Sequence, residues 1–171
     1  MRRSADPLVA LAQDTIVAHA EGRPTPPAPE LPGDLPDRAG TFVTIHDARG
    51  ELRGCIGTIV ATRTSLAEEI IHNAVQAGFH DPRSSPLQVS ELPDLTVSVD
   101  VLGEAEPATL ADLDAKRYGV IVSRGWQRGL LLPDLEGVDT PEEQVRIALL
   151  KAGIPLDEEF ELERFEVVRH A

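Results

Sequence analysis

The chain has 171 residues, 29 Asp and Glu against 16 Lys and Arg, a formal net charge of −13 and an apolar content of 42%. That length supports one compact domain or two small lobes sharing a core. The acidic excess, with no Lys/Arg run, opposes direct nucleic-acid binding and attachment to anionic membranes by the chain alone.

One cysteine excludes an internal disulfide framework and a multi-cysteine zinc site and suits the reducing cytoplasm. No apolar run approaches the ~20 residues that span a bilayer. Met1-Arg2-Arg3 looks like the basic end of an export signal, but Gln13 and Asp14 interrupt the apolar stretch and no small-residue cleavage site follows. Aromatic residues make up 4%, so the core must be aliphatic.

The first element is a helix over 7–20, with Asp6 as its cap, Pro7 at its first position and Leu8, Leu11, Ala12, Thr15 and Ile16 on one face. Six prolines and three glycines then make 22–40 a stiff extended connector or surface strap, a reading preferred to a polyproline ligand. Strands follow over 41–46 and 51–59 around the turn 47–50. Ser65-Leu66-Ala67-Glu68 matches a capping box and opens a helix to about Gly78, with Leu66, Ile70, Ala74 and Ala77 as its apolar stripe.

Pro82 disfavours helix at Asp81, and 84–94 reads as loop. A strand is predicted over 95–102, one helical turn within 107–116, and two strands over 118–122 and 130–132 around the connection 124–129. Thr140-Pro141-Glu142-Glu143 starts a helix that ends at Gly153, and a last strand covers 162–169. Hairpins dominate, so the fold class is α+β, a mainly antiparallel sheet flanked by helices.

Residues 52–58 read Leu-Arg-Gly-Cys-Ile-Gly-Thr and hold the lone cysteine. With a tight turn at 47–50, His46 faces Glu51, Thr44 faces Arg53 and Phe42 faces Cys55. Alternation then gives a core face of Val43, Ile45, Leu52, Gly54 and Ile56. The opposite face is mixed, carrying Phe42, Thr44, His46, Glu51, Arg53 and Cys55. Cys55 lies four residues from the position opposite His46, roughly 13 Å, which rejects a Cys–His dyad.

The stretch from Gly40 to Ile59, GTFVTIH…ELRGCIGTI, resembles the AMMECR-one domain family, whose hallmark is LRGCIG. The likeness continues through SLAEEIIHNAVQAGFHDPR, LTVSVDVL, GVIVSRGWQRGLLLP, KAGIP and RFEV, nearly the whole chain past the connector. Two departures are Leu149 and Leu150, where many relatives carry a cysteine before KAG, and Asp134-Leu135, where Gln-Val is common after the proline. The resemblance implies a two-lobed α+β domain, a cytoplasmic protein, and a prokaryotic three-part system with a Memo-type protein and a radical S-adenosylmethionine protein. RNA or small-molecule modification is the activity it suggests.

The candidate site follows from these readings. Cys55 is a nucleophile, thiol ligand or redox centre, or else a small residue packed on the sheet. Arg53 clamps a phosphate or carboxylate, or pairs with Glu51 or another acid. Gly54 and Gly57 expose amides to an anion or permit close packing. Asn73, on the apolar face of its helix, ties that helix to a loop backbone or points into a cleft. Asp81 and Arg83 join the site or brace a turn.

His46, His72 and His80 have no dedicated metal spacing, so no metal site and no cofactor is assigned. His72, near Glu68 and Glu69, is read as solvated. Trp126 and Arg128 cover a ligand, contact a partner or pack on their own loop. Two functions stay open: an enzyme or substrate-handling component, and a non-catalytic partner-binding module.

Overall fold

In the computed structural model, which describes residues 1–171, the first helix starts where an extended Asp6 turns its carboxylate onto free amides. Its Oδ1 accepts from Leu8 N at 2.9 Å and Val9 N at 3.2 Å, capping α1 (Pro7–Ala20). The predicted face is buried, and so are Val9, Ala10, Gln13 and Ala18, so α1 is enclosed on more than one side. The segment 22–40 holds no helix or strand. It is mostly exposed and touches the core through Leu31 and Leu35, as a strap does.

Two compact units account for the chain: Met1–Val101 with Arg169–Ala171, and Leu102–Val168. In the first, β1 (Thr41–His46) lies between β2 (Leu52–Gly57) and β3 (Thr96–Leu102), antiparallel to both. α2 (Leu66–Phe79) follows β2, and its Ser65 Oγ accepts from Glu68 N at 3.2 Å. Glu68 does not complete the predicted box, because its carboxylate takes the amide and hydroxyl of Thr64 instead. Leu66, Ile70, Ala74 and Ala77 are buried as their spacing predicts, and pack with Val43, Ile45, Val97 and Val99. A 3-10 turn, Val89–Asp94, occupies part of the stretch read as loop.

The first hairpin corrects the predicted register. Thr44 pairs with Cys55, not Arg53, and Phe42 with Gly57, not Cys55. Two causes add one residue each. The turn closes as a three-residue loop between Asp47 and Glu51, with Asp47 N donating to Glu51 O at 2.9 Å and Gly50 at φ 80°. A bulge between Ile45 and His46 then leaves Arg53 without a partner on β1. A slip of two preserves the faces: Thr44 and Cys55 share the mixed face, and Gly54 stays on the core face. Leu52 lies on the turn side of the bulge and is 55% exposed, so it is not core.

The second unit contains β4 (Glu106–Pro107), β5 (Tyr118–Arg124), β6 (Gln127–Leu131), α3 (Pro141–Ala152) and β7 (Glu161–His170), with strand order β4-β7-β5-β6. The predicted helical turn is a 3-10 turn at Leu110–Asp112. The hairpin-like connection expected over 124–129 closes as a two-residue turn, Gly125-Trp126, with Gly125 at φ 59° and the strands reaching Arg124 and Gln127. Thr140 and a left-handed Gly153 bound α3 as the sequence predicts. Val120, Val122 and Leu131 pack on Val145, Ala148 and Leu149, a core separate from that of the first unit. The fold is α+β with antiparallel strands and flanking helices, and no helix is long and apolar enough to cross a membrane.

Candidate functional site

β2 ends its sheet, so its outer edge has no strand to pair with. At Cys55 the Asp81-Pro82-Arg83 turn takes that place. Cys55 N donates to Asp81 Oδ2 at 3.0 Å, and Arg83 Nη2 donates to Cys55 O at 2.7 Å. Pro82 stops α2 so that this turn can form. Asp81 is 3% exposed and also accepts from Arg83 N and Nε, both at 3.0 Å, and from Nη2 at 2.8 Å. The Arg83 guanidinium, with help from the Cys55 amide, holds the Asp81 carboxyl well below the usual carboxylate range.

The Cys55 thiol is half-buried, with Sγ 3.3 Å from Thr44 Oγ1. Burial pushes its pKa up, while the Thr44 hydroxyl and the Arg83 charge pull it back only in part. The thiol is therefore protonated at neutral pH, a poor nucleophile and a good neutral donor. Thr44 pairs with Ser98 on its other side, so thiol and two hydroxyls form one row across the sheet. Asp100, two residues on, is 1% exposed and bound by Arg169 at 2.8 and 3.1 Å.

The remaining candidates are engaged by other partners. The Arg53 guanidinium donates to both carboxylate oxygens of Glu91, at 2.8 and 3.2 Å, and to Ser85 O at 3.0 Å, which uses Nε and both amino groups. That pair draws the Glu91 carboxyl below its ordinary range. A Cβ on Gly54 would strike the carbonyl oxygen of Ala77, and one on Gly57 would strike the Phe42 ring and Thr41 O. These glycines let α2 and β1 approach closely. Asn73 Nδ2 donates to Thr41 O at 3.0 Å and Thr41 Oγ1 at 2.9 Å, tying α2 to the start of β1.

His46, His72 and His80 are not brought together, and no group of three or more His, Cys, Asp or Glu is gathered to hold a metal. Glu69, read as part of a solvated side, is wholly buried and accepts from Thr58, Thr62 and Arg63. His72 is partly exposed and stands beside the Arg63 guanidinium at 2.9 Å. Trp126, 92% exposed, does not pack on its own loop.

Sequence reasoning missed Glu91, Asp100 and Arg169 as partners. Gln88 and Glu91 have cap spacing, and Gln88 N does donate to Glu91 at 2.8 Å. That spacing marks a local turn inside the stretch read as loop and says nothing of a partner for Arg53. Asp100 interrupts a run of valines, and a charge at a buried strand position is a sign of a paired group.

Comparison with known proteins agrees with this architecture. The AMMECR1 family model matches residues 9–170. A protein of Thermotoga maritima is 53% identical over 152 residues, covering 87% of each chain. Protein CA_C1420 of Clostridium acetobutylicum is 45% identical over 99% of this chain, which spans 36% of that longer protein. The crystal structure of uncharacterized protein PH0010 from Pyrococcus horikoshii superimposes with a TM-score of 0.86 at 30% identity, covering 96% of this chain and 89% of that one. By sequence over nearly its full length and by fold, the chain belongs to the AMMECR1 family.

Proposed function

We propose that this chain is the substrate-handling component of a cytoplasmic modification system, acting with a Memo-type protein and a radical S-adenosylmethionine protein on RNA or a small molecule. Its working surface is the polar side of β1, β2 and β3 around Cys55. One observation carries this reading: Cys55 is held at both its amide and its carbonyl by Asp81 and Arg83, while its thiol stays protonated beside Thr44. A thiol so fixed suits positioning and hydrogen donation better than attack on a substrate. The net charge of −13 favours an RNA meeting the assembled system rather than this chain alone.

Native mass spectrometry before and after denaturation looks for a ligand that copurifies, and titrations measure binding to the two partner types. Cys55→Ser is expected to weaken ligand or partner binding at an unchanged melting temperature. Unchanged binding to every ligand and partner found would move the site away from this face. A second reading, a non-catalytic docking module, draws on Trp126: a tryptophan exposed at the tip of a two-residue turn is a common anchor for a protein partner. Loss of partner binding in Trp126→Ala but not in Cys55→Ser would favour it.

A further inference from the structure

The β5–β6 hairpin is tied to its surroundings at the foot of its turn. Gly125 takes the left-handed position that a two-residue turn asks for, and Trp126 fills the other. Both flanking residues reach the segment that follows α3. Gln127 Nε2 donates to Gly153 O at 2.6 Å, and Arg124 Nη1 meets Glu158 Oε2 at 2.8 Å. Trp126 projects from this anchored turn almost wholly into solvent. Nothing in the turn calls for an aromatic residue at its second position. Left in water, the indole forgoes the burial of roughly 150–250 Å² that an aromatic side chain contributes to a core or an interface.

The surroundings of the turn are acidic. Its arginines are already committed, Arg124 to Glu158 and Arg128 to Glu163, the second pair at 3.9 Å. Asp157 and Glu159, on either side of Glu158, are exposed and hold no cation. Glu161 is exposed too, and shares Ser123 with Arg128 as a cross-strand neighbour. Leu156, also exposed, adds apolar surface at the start of this acidic stretch. An indole face is the strongest aromatic acceptor for a cation. The unpaired carboxylates attract the same charge. They repel nucleic acid and anionic membranes.

We propose that Trp126, with Asp157, Glu159 and Glu161, forms a docking surface for a basic segment of a partner protein. An arginine or lysine of that segment stacks on the indole, and its neighbouring cations meet the carboxylates. The inference rests on the docking reading of Trp126 and names the chemistry of the partner.

Trp126 is the single tryptophan of the chain, so its emission reports this turn alone. The full chain is titrated at low ionic strength with an alternating arginine–alanine octapeptide. The control is the same peptide with citrulline for arginine, which keeps the shape and loses the charge. The arginine peptide is expected to change the emission saturably, and the citrulline peptide to leave it unchanged. By calorimetry, Trp126→Ala should bind the arginine peptide roughly fivefold more weakly, the size of a cation–π contact at an exposed site. Asp157→Asn combined with Glu159→Gln should weaken it by a similar factor. Glu104→Gln combined with Asp114→Asn removes the same charge at the Tyr118 end of β5, about 20 Å along the strand from Arg124. That pair should change the affinity by less than about twofold. All five positions are exposed, so the fold is not at stake.

No saturable change with the arginine peptide, or the same change with citrulline, overturns the proposal. So does an unchanged affinity in Trp126→Ala. Equal weakening by the two pairs of acids also overturns it, since that marks the net charge of −13 and not a site. A larger response to single-stranded RNA or to anionic vesicles does the same. If the arginine peptide fails while Trp126→Ala still removes binding of a Memo-type or radical S-adenosylmethionine protein, this inference falls alone. If Trp126→Ala leaves that binding intact, the docking reading falls with it.

Discussion

Glu69 offers the most demanding test of how this fold is held. Its carboxylate is 0% exposed and accepts four hydrogen bonds. Thr58 Oγ1 at 2.6 Å and Thr62 Oγ1 at 2.8 Å reach Oε1, and the amides of Thr62 and Arg63, both at 2.7 Å, reach Oε2. Removing the side chain in Glu69→Ala leaves two backbone N–H groups without an acceptor, each costing about 1–3 kcal/mol if no water replaces it. Thr62 and Arg63 are exposed residues, so water recovers part of this.

A net loss of about 3–5 kcal/mol remains once the vacated volume is included, a large share of the ~5–15 kcal/mol that stabilises an ordinary domain. Glu69→Gln should cost much less, about 1–2 kcal/mol. Its amide oxygen can face the two backbone amides while the threonine hydroxyls rotate to accept from its NH₂. Urea denaturation gives both values, and hydrogen exchange at Thr62 and Arg63 should quicken most in the alanine variant.

The same group fixes a pH signature. Burial raises the Glu69 pKa, but the bonds from Thr58, Arg63 and Thr62 outweigh it and hold the carboxyl below its ordinary value. A folded-state pKa below the unfolded one contributes stability that is fully present above about pH 4.3 and is lost as pH falls toward the depressed value. Glu69→Gln should therefore flatten the loss of stability as pH falls below the ordinary carboxylate range. A Gln variant as unstable as the Ala variant, or an Ala variant within about 1 kcal/mol of wild type, would refute the reasoning.

Three further outcomes are expected. Gly54→Ala should destabilise by about 3 kcal/mol or more, since its new methyl meets a fixed backbone oxygen of α2, whereas Gly33→Ala, in open space, should leave the thermal melt within ~0.5 kcal/mol. Asp81→Asn should lower stability by about 2–4 kcal/mol, because an amide cannot accept from four donors. Calorimetry of that variant should also show a weaker dependence on acid, as one depressed carboxyl is gone. Alkylation of Cys55 by neutral iodoacetamide should rise with pH along a curve displaced above that of a free thiol, and a curve displaced below it would contradict the burial argument.

Much of the fold was legible because its signals are local. Asp6-Pro7, Ser65 and Thr140 each start a helix through an acceptor that the backbone needs within three residues. The two faces of the first hairpin were readable from alternation. Its register was not, because a three-residue loop and a bulge at Arg53 leave no mark in hydrophobic spacing. Partners far apart in sequence were hidden for the same reason. Arg53 finds Glu91 across 38 residues and Arg169 finds Asp100 across 69. Glu69 looked like one of two solvated acids, and only the path of the 58–63 segment distinguishes it from Glu68.

The Asp81–Arg83 turn has a consequence for the behaviour of the protein in concentrated solution. A strand at the end of a sheet presents unpaired amides and carbonyls to which another chain can add. Here the donor and acceptor of Cys55 are taken by side chains, which cannot extend a ladder from one molecule to the next. Ending the pairing in this way blunts β2 against intermolecular strand addition in the middle of a six-residue apolar and glycine-rich strand. The turn that completes the candidate site thus also serves as a guard against aggregation. Variants that open it should show light scattering and thioflavin binding on mild heating, before the rest of the unit unfolds.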